Sequence, residues 1–384
     1  MWRKILEQAR QCPGWLEFFR GRGVNLDTVA TEADFARLPV LKKSELPRMQ
    51  KERPPFGRLA YEERVMRIFV SPGPIYDPQG EATDYWHFAP LMRMIGIGAG
   101  DIVQNTLSYH LSPAGFMLDS AALAVGAKVV PAGTGNTAVQ IEVMRDLQVT
   151  AYAGTPSFLL ILLKAAEEKG WRVGRELALK KAVFTADKVT EEMDRFFQER
   201  GISYIDAYGT ADLGCVAYRL PGEEGYALMD DVYVQICDPE SGAEVSGQET
   251  GELVISRASD VYPLIRFGTG DLSRWVEPGK RIAGVLGRVG DSYKVKGMFV
   301  YAHQLREAMA QLSRVAYYQA VITHEQGQDQ LTVNVEVRES GAVTDEELSD
   351  WTERIQNVIR VKPRLRVVPE GSISREEKQL VDAR

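Results

Sequence analysis

Between residues 82 and 207, apolar positions alternate between helical spacing and short continuous runs. The spacing predicts helices over 82–96, 115–125, 138–147, 156–170 and 190–200, and strands over 101–106, 127–131, 149–153, 181–185 and 204–207. Strand–helix alternation at this interval predicts a parallel sheet with helices packed on its faces. Local chemistry supports the boundaries. Gly126 suits a helix C-cap, and Thr155 followed by Pro156 suits an N-cap and a first turn.

Outside this stretch the pattern differs. Residues 1–65 read as helices and turns, with Pro47, Pro54 and Pro55 keeping any helix over 41–56 short. After residue 225, strands over 233–237, 252–256 and 281–286 are separated by turns such as Asp238-Pro239-Glu240-Ser241-Gly242. The last hundred residues mix helices over 302–312 and 344–360 with strands over 320–323, 331–337 and 365–368, and Thr344 with Glu347 makes a capping-box pattern. The fold class expected is α/β: a large N-terminal α/β domain over 1–286, with a β-rich subdomain over about 225–286, and a small C-terminal α+β domain over 287–384.

Composition narrows the function classes. A net charge of −7 argues against nucleic acid as the main partner. The longest apolar run, 158–163, is far shorter than the ~20 residues of a membrane span. Cys12, Cys215 and Cys237 are too scattered for a disulfide framework or a cysteine-rich zinc site. With no signal-peptide pattern at the N-terminus, the expected compartment is the cytoplasm.

Four segments carry candidate chemistry. In Asp206-Ala207-Tyr208-Gly209-Thr210-Ala211-Asp212 a strand ends in a glycine, a hydroxyl and a carboxylate. Glycine admits close backbone approach to a ligand, the hydroxyl can bind a phosphate oxygen, and the carboxylate can hold Mg²⁺. In 262–271, Asp271 follows a Thr-Gly turn and can accept ribose hydroxyls. In 287–297, glycines surround Arg288 where the β-rich region gives way to the C-terminal unit. In 371–378, Lys378 stands near the chain end and can meet an anion. Each segment taken alone is also an ordinary turn, hairpin or solvated tail.

Taken together, in this order, the four resemble the AMP-forming adenylate-forming superfamily, most closely phenylacetate–CoA ligases. Further similar stretches are Val103-Gln104-Asn105 followed by Tyr109, Gly133-Thr134-Gly135-Asn136-Thr137, Thr155-Pro156-Ser157 and Phe184-Thr185-Ala186-Asp187. The resemblance implies a ligase that activates a small, aromatic carboxylate with ATP as acyl-AMP, then transfers it to CoA while a mobile C-terminal lid changes position between the steps. ATP, Mg and CoA are the implied cofactors, and dimers are common in that family. Tyr208, Gly209 and Thr210 would line the adenine and α-phosphate, with Ala186 and Asp187 at the adenine border. Asp271 and Arg288 would hold the ribose. Asp212 would bind magnesium, Gly290 would lie at the hinge, and Lys378 would bridge carboxylate and α-phosphate, where a cation offsets developing charge. Tyr109 and His110 would border the acyl pocket; a structural histidine is an equal reading of His110.

One stretch departs from the resembled pattern. The phosphate loop corresponds to Ser71-Pro72-Gly73-Pro74-Ile75-Tyr76-Asp77-Pro78, where Ser71, Gly73 and Pro78 fit. Tyr76 replaces a glycine and Asp77 a lysine, and Pro72 and Pro74 remove two N–H donors. Losing one charge-assisted contact costs about 1.5–3 kcal/mol, and Asp77 would repel the β- and γ-phosphates rather than attract them. Two further readings stay open: a homologue that binds a nucleotide, acyl-adenylate or aromatic acid without efficient turnover, and an adenylating enzyme with an acceptor other than CoA.

Overall fold

The computed structural model describes residues 1–71, 74–295, 298–325, 328–338 and 343–384. The chain divides into two compact units, one of residues 1–269 and 273–284, the other of 270–272 and 285–384.

The first unit is built on a nine-stranded sheet. Its parallel half runs, in spatial order, Lys128–Pro131, Ile102–Asn105, Ala151–Gly154, Lys181–Thr185 and Ser203–Thr210. Gly214–Arg219 and Tyr226–Leu228 then continue it antiparallel. Helices Ala114–Ala124, Thr137–Asp146, Pro156–Glu168 and Glu191–Glu199 connect the parallel strands. Side chains alternate across the sheet with the two-residue period of a strand. Tyr152, Ala182, Phe184 and Tyr204 pack toward Leu159, Leu162 and Phe197 on one face. Ala153, Val183 and Ile205 pack toward Met92, Leu118 and Ala121 on the other. The expected parallel sheet with helices on both faces is what forms.

Helix starts follow side-chain chemistry. Thr155 Oγ accepts from Phe158 N at 3.3 Å, and Thr190 Oγ accepts from Met193 N at 3.2 Å. The helix expected over 82–96 is shorter, Ala89–Met94. Asp84 accepts from the N–H groups of Phe88 and Ala89, both at 3.0 Å, and Pro90 lies in the first turn, so the helix begins there. His87, at φ 61, turns the chain just before it.

A second sheet holds Leu41–Lys42, Leu264–Ser273, Gly251–Arg257 and Val232–Cys237. The N-terminal helices Trp2–Arg10 and Pro13–Arg20 share its core through Trp15, Phe19, Ile236 and Phe267. Arg67–Ser71 and Ile75–Gln79, to which the sequence pattern assigned no element, pair as a β-hairpin.

The second unit carries a four-stranded sheet ordered Arg364–Val367, Gln328–Val337, Val315–Glu325, Leu380–Asp382. Helices Ala302–Ala310 and Asp345–Ile359 cover it through Leu305, Trp351 and Ile355. Thr344 Oγ accepts from Glu347 N at 3.2 Å, as its capping pattern predicts. Among the described residues, no helix is long and apolar enough to cross a membrane.

Candidate active site

The five parallel strands place their carboxyl ends on one edge of the sheet. Tyr109, Thr155, Ala186, Asp187, Thr210 and Asp212 all lie in or just beyond those ends. From Ile102–Asn105 the chain crosses to one side of the sheet, and from Ala151–Gly154 to the other. Ligands of open α/β sheets bind at such a switch point. Here a polar network fills it. Asn105 Nδ2 donates to Tyr109 OH at 2.8 Å, and that hydroxyl donates to Asp119 Oδ1 at 3.1 Å. Burial, then the Asp119 carboxylate, raise the Tyr109 pKa and keep the phenol neutral. Gly115 lets the Tyr109 ring close in, since a Cβ there would sit 2.8 Å from it. Tyr109, Phe116 and Phe69 form an aromatic row with centroid spacings of 5.3 and 5.1 Å. His110 is exposed, and its backbone N–H donates to Ser108 Oγ at 3.3 Å.

Ala186 holds φ 67 although it carries a Cβ, and it is exposed together with Asp187. A non-glycine residue in the left-handed region is uncommon, and such strain clusters at ligand sites. Next to it, Gly209 admits the neighbouring strand: a Cβ would meet the Gly214 carbonyl at 2.7 Å and Phe88 at 3.1 Å. Thr210 Oγ accepts from Leu213 N at 3.2 Å, which turns the chain after the strand. The Ala211 carbonyl accepts from Trp86 Nε1 at 3.3 Å, and the Leu213 carbonyl accepts from Arg257. Arg257 also meets Asp231 at 2.5 Å, and His87 Nδ1 lies 2.9 Å from that carboxylate. Burial alone would raise the Asp231 pKa, but His87 and Arg257 hold it well below the usual range. Thus the 211–213 turn is tied from three sides.

The hairpin completes this edge. Gln50, from helix Leu46–Glu52, donates to the Tyr76 carbonyl at 2.8 Å and accepts from Tyr76 N at 2.9 Å. Register sets Asp77 opposite Phe69 and Ile75 opposite Ser71, so these four share the inner face, while Ile68 and Tyr76 are exposed. Asp77 is therefore fully buried, not turned outward toward phosphate as the sequence suggested. Burial and the Asp212 carboxylate push its pKa well above the usual range, against smaller pulls from Ser71 and Lys43. Neither Asp77 oxygen has a hydrogen bond of good geometry; nor do Ser71 Oγ, Asp212 Oδ1 and Tyr262 OH.

Asp212 itself has a fully buried side chain, with Oδ2 at 2.5 Å from the Lys43 ammonium. The cavity beside it, lined by Asp212, Trp86, Ser259 and Tyr262 among others, measures about 20 Å³. That admits one water, whereas Mg²⁺ demands an octahedral shell and keeps several waters. The residues around Asp212 do not fit the magnesium expected there. Lys43, Gln50 and Trp86 were not among the residues singled out from the sequence. Their contacts span 169, 26 and 125 positions and leave no local pattern to find. The alternation of Phe69, Ser71, Ile75 and Asp77 on one face was the available sign that Asp77 points inward.

In the second unit, Arg288 Nε lies 2.9 Å from Asp271 Oδ1, and the two residues face each other in register. The geometry brings this expected pair together. A Cβ on Gly290 would meet nothing. Lys378 is exposed, at the end of a segment held by Glu336: Ile373 N donates to Glu336 Oε1 at 2.8 Å, and Arg375 Nη2 to Oε2 at 2.6 Å. Gly73 lies outside the described residues.

This combination, a parallel sheet with a polar switch point and a glycine-bearing strand end, joined to a separate α+β unit, defines the architecture of an adenylate-forming enzyme. A family model described as AMP-binding enzyme matches residues 85–261, and one described as AMP-binding enzyme C-terminal domain matches 297–384; the chain belongs to this family. A phenylacetate–coenzyme A ligase of Aromatoleum evansii is 28% identical over 344 residues, 85% of this chain and 77% of that protein. One from Escherichia coli (strain K12) is 27% identical over 390 residues, 95% of this chain and 88% of that protein. A solved 2-hydroxyisobutyryl-CoA ligase, in complex with 2-HIB-AMP and CoA, shares the fold with TM-score 0.83 at 24% identity, over 98% of this chain and 90% of that one.

Proposed function

We propose that this protein is an AMP-forming carboxylate–CoA ligase acting on a small aromatic acid. The observation that carries the reading is the near full-length relationship to phenylacetate–CoA ligases, together with the common edge shared by Tyr109, Ala186, Asp187 and Thr210. ATP with magnesium, and CoA, are the cofactors of that reaction. On this reading Tyr208, Gly209 and Thr210 border adenine and α-phosphate, and Ala186 with Asp187 closes the adenine side. The Tyr109–Phe116–Phe69 row supports an aromatic acyl group, since ring pairs favour edge contacts of this kind. Asp271 with Arg288 holds the ribose, Lys378 supplies the cation of the first step, and Gly290 serves as hinge. The cytoplasm is the proposed compartment, consistent with three free cysteines.

The test is pyrophosphate release across a panel of aryl carboxylates, with and without CoA. Release with at least one arylacetate or benzoate, followed by CoA-dependent thioester, is expected. No ATP consumption with any acid would overturn the reading. In that event the inward Asp77 and the Lys43–Asp212 pair favour the second reading, a protein that binds acyl-adenylate without forming it. Calorimetry with AMP and a non-hydrolysable acyl-adenylate would then show binding.

A further inference from the structure

Four sequence-distant segments of the first unit converge on Asp212. Lys43 stands on the short turn Lys43–Glu45, just after Leu41–Lys42, which pairs in parallel with Leu264–Ser273. Glu45 Oε2 accepts from Lys42 N at 3.1 Å and fixes that turn. The hairpin supplies Ser71 and Asp77, the strand end supplies Asp212, and Tyr262 lies just before Leu264–Ser273. Around one ammonium lie two buried carboxyls, and buried oxygens of Ser71 and Tyr262 face no other partner. The ion pair is short at 2.5 Å, with Lys43 only 23% exposed and Asp212 fully enclosed.

Such a cluster constrains cations strongly. An Mg²⁺ placed on Asp212 Oδ2 would sit against an ammonium, and like charges in a low-dielectric interior repel far more than in water. Removing either partner of a buried ion pair leaves a costly uncompensated charge. With one ammonium facing Asp212, the carboxylate is already neutralised without a metal.

We infer that the Lys43 ammonium is the resident cation of Asp212, and that this protein offers magnesium no carboxylate at that position. Magnesium then enters only as the nucleotide's own counter-ion, held by phosphate oxygens and water. The inference rests on the nucleotide-binding reading above for its functional meaning, but its chemistry concerns Lys43 and Asp212 alone.

Manganese, which replaces magnesium and is visible by electron paramagnetic resonance, tests it on the full chain. Without nucleotide, wild type and Asp212→Asn should bind Mn²⁺ equally weakly. Lys43→Met, which frees Asp212 beside Asp77 and Ser71, should bind Mn²⁺ at least tenfold more tightly than wild type. A tenfold loss of Mn²⁺ affinity in Asp212→Asn relative to wild type would overturn the inference. Should Lys43→Met fail to fold, Lys43→Met/Asp212→Asn decides the matter through melting temperature. A smaller drop for the double variant than for Asp212→Asn alone supports the pair, and a larger drop refutes it. With ATP, the ratio of affinities measured with and without Mg²⁺ should be the same in wild type and Asp212→Asn. If ATP fails to bind either protein, the ligase reading falls, while the nucleotide-free manganese comparison still judges the pair.

Discussion

Two segments that would contact opposite ends of a nucleotide have been treated differently in this chain. The strand end Tyr208–Asp212 keeps the glycine that close packing demands, and its turn is tied by Trp86, Arg257 and Thr210. The 67–79 hairpin lacks the glycine-rich, cationic character of a phosphate loop. It is a structural element, bonded to Gln50 through Tyr76 and packed inward through Phe69 and Asp77. The lesson is that a stretch resembling a binding loop can serve packing instead. Here Phe69 and Asp77 are buried, and the carboxylate expected to repel phosphate is instead a buried neighbour of Asp212.

The comparison can be broken at its tightest point first. Arg257→Met removes the partner of both Asp231 and the Leu213 carbonyl, and a broken buried pair costs about 3–5 kcal/mol. The low end, about 3 kcal/mol, is expected because the Asp231 side chain is 43% exposed. Urea titration should show a lower midpoint at unchanged slope. The sign with pH follows from the depressed Asp231 pKa. The pair's contribution is present above the unfolded carboxylate value of about 3.9 and fades only in strong acid, so the variant's deficit should shrink there.

Gly209→Ala should come next, at about 1–3 kcal/mol of overpacking against the Gly214 carbonyl. It should also weaken AMP binding more than it lowers stability. Equal loss in both would place Gly209 outside the nucleotide site.

On the hairpin the direction reverses. Asp77→Asn removes a buried ionisable group whose folded pKa is raised, and should stabilise by about 1–3 kcal/mol at pH 7. Below about pH 3.9 the carboxyl is protonated in both folded and unfolded chains, so the variant gains nothing there. As pH rises, the unfolded carboxyl ionises freely while the folded one resists, so the wild type loses stability relative to the variant. Melting curves from pH 3.5 to 8 check this; a constant difference would show that Asp77 is ionised in the fold. Asp77→Lys, which would restore the cation of a phosphate loop on paper, should destabilise the hairpin rather than improve ATP affinity, because the side chain points inward.

Much of the first unit was legible because its signals are local. The strand at Lys181–Thr185 and the cap at Thr155 depend on residues within four positions of one another, as does the Thr344 cap in the second unit. Thr155→Ala should cost about 1 kcal/mol, the smallest effect considered, and serves as a control away from both segments. The hairpin was not legible, because Pro72, Pro74 and Pro78 within eight residues weaken any strand signal there. The helix before residue 96 was overextended because Asp84 caps it only in the folded geometry. In the candidate site, the ordered motifs named the strand-end residues, but the partner of Asp212 lies 169 positions away and carries no motif.

The most direct measurement is a single-turnover mixture of protein, ATP, magnesium and an arylacetate, quenched and analysed by mass spectrometry before and after CoA is added. Acyl-AMP should accumulate without CoA and convert to acyl-CoA once it is present. Absence of acyl-AMP with every acid, from a protein that binds a preformed acyl-adenylate, would contradict the account and make this chain a binding protein.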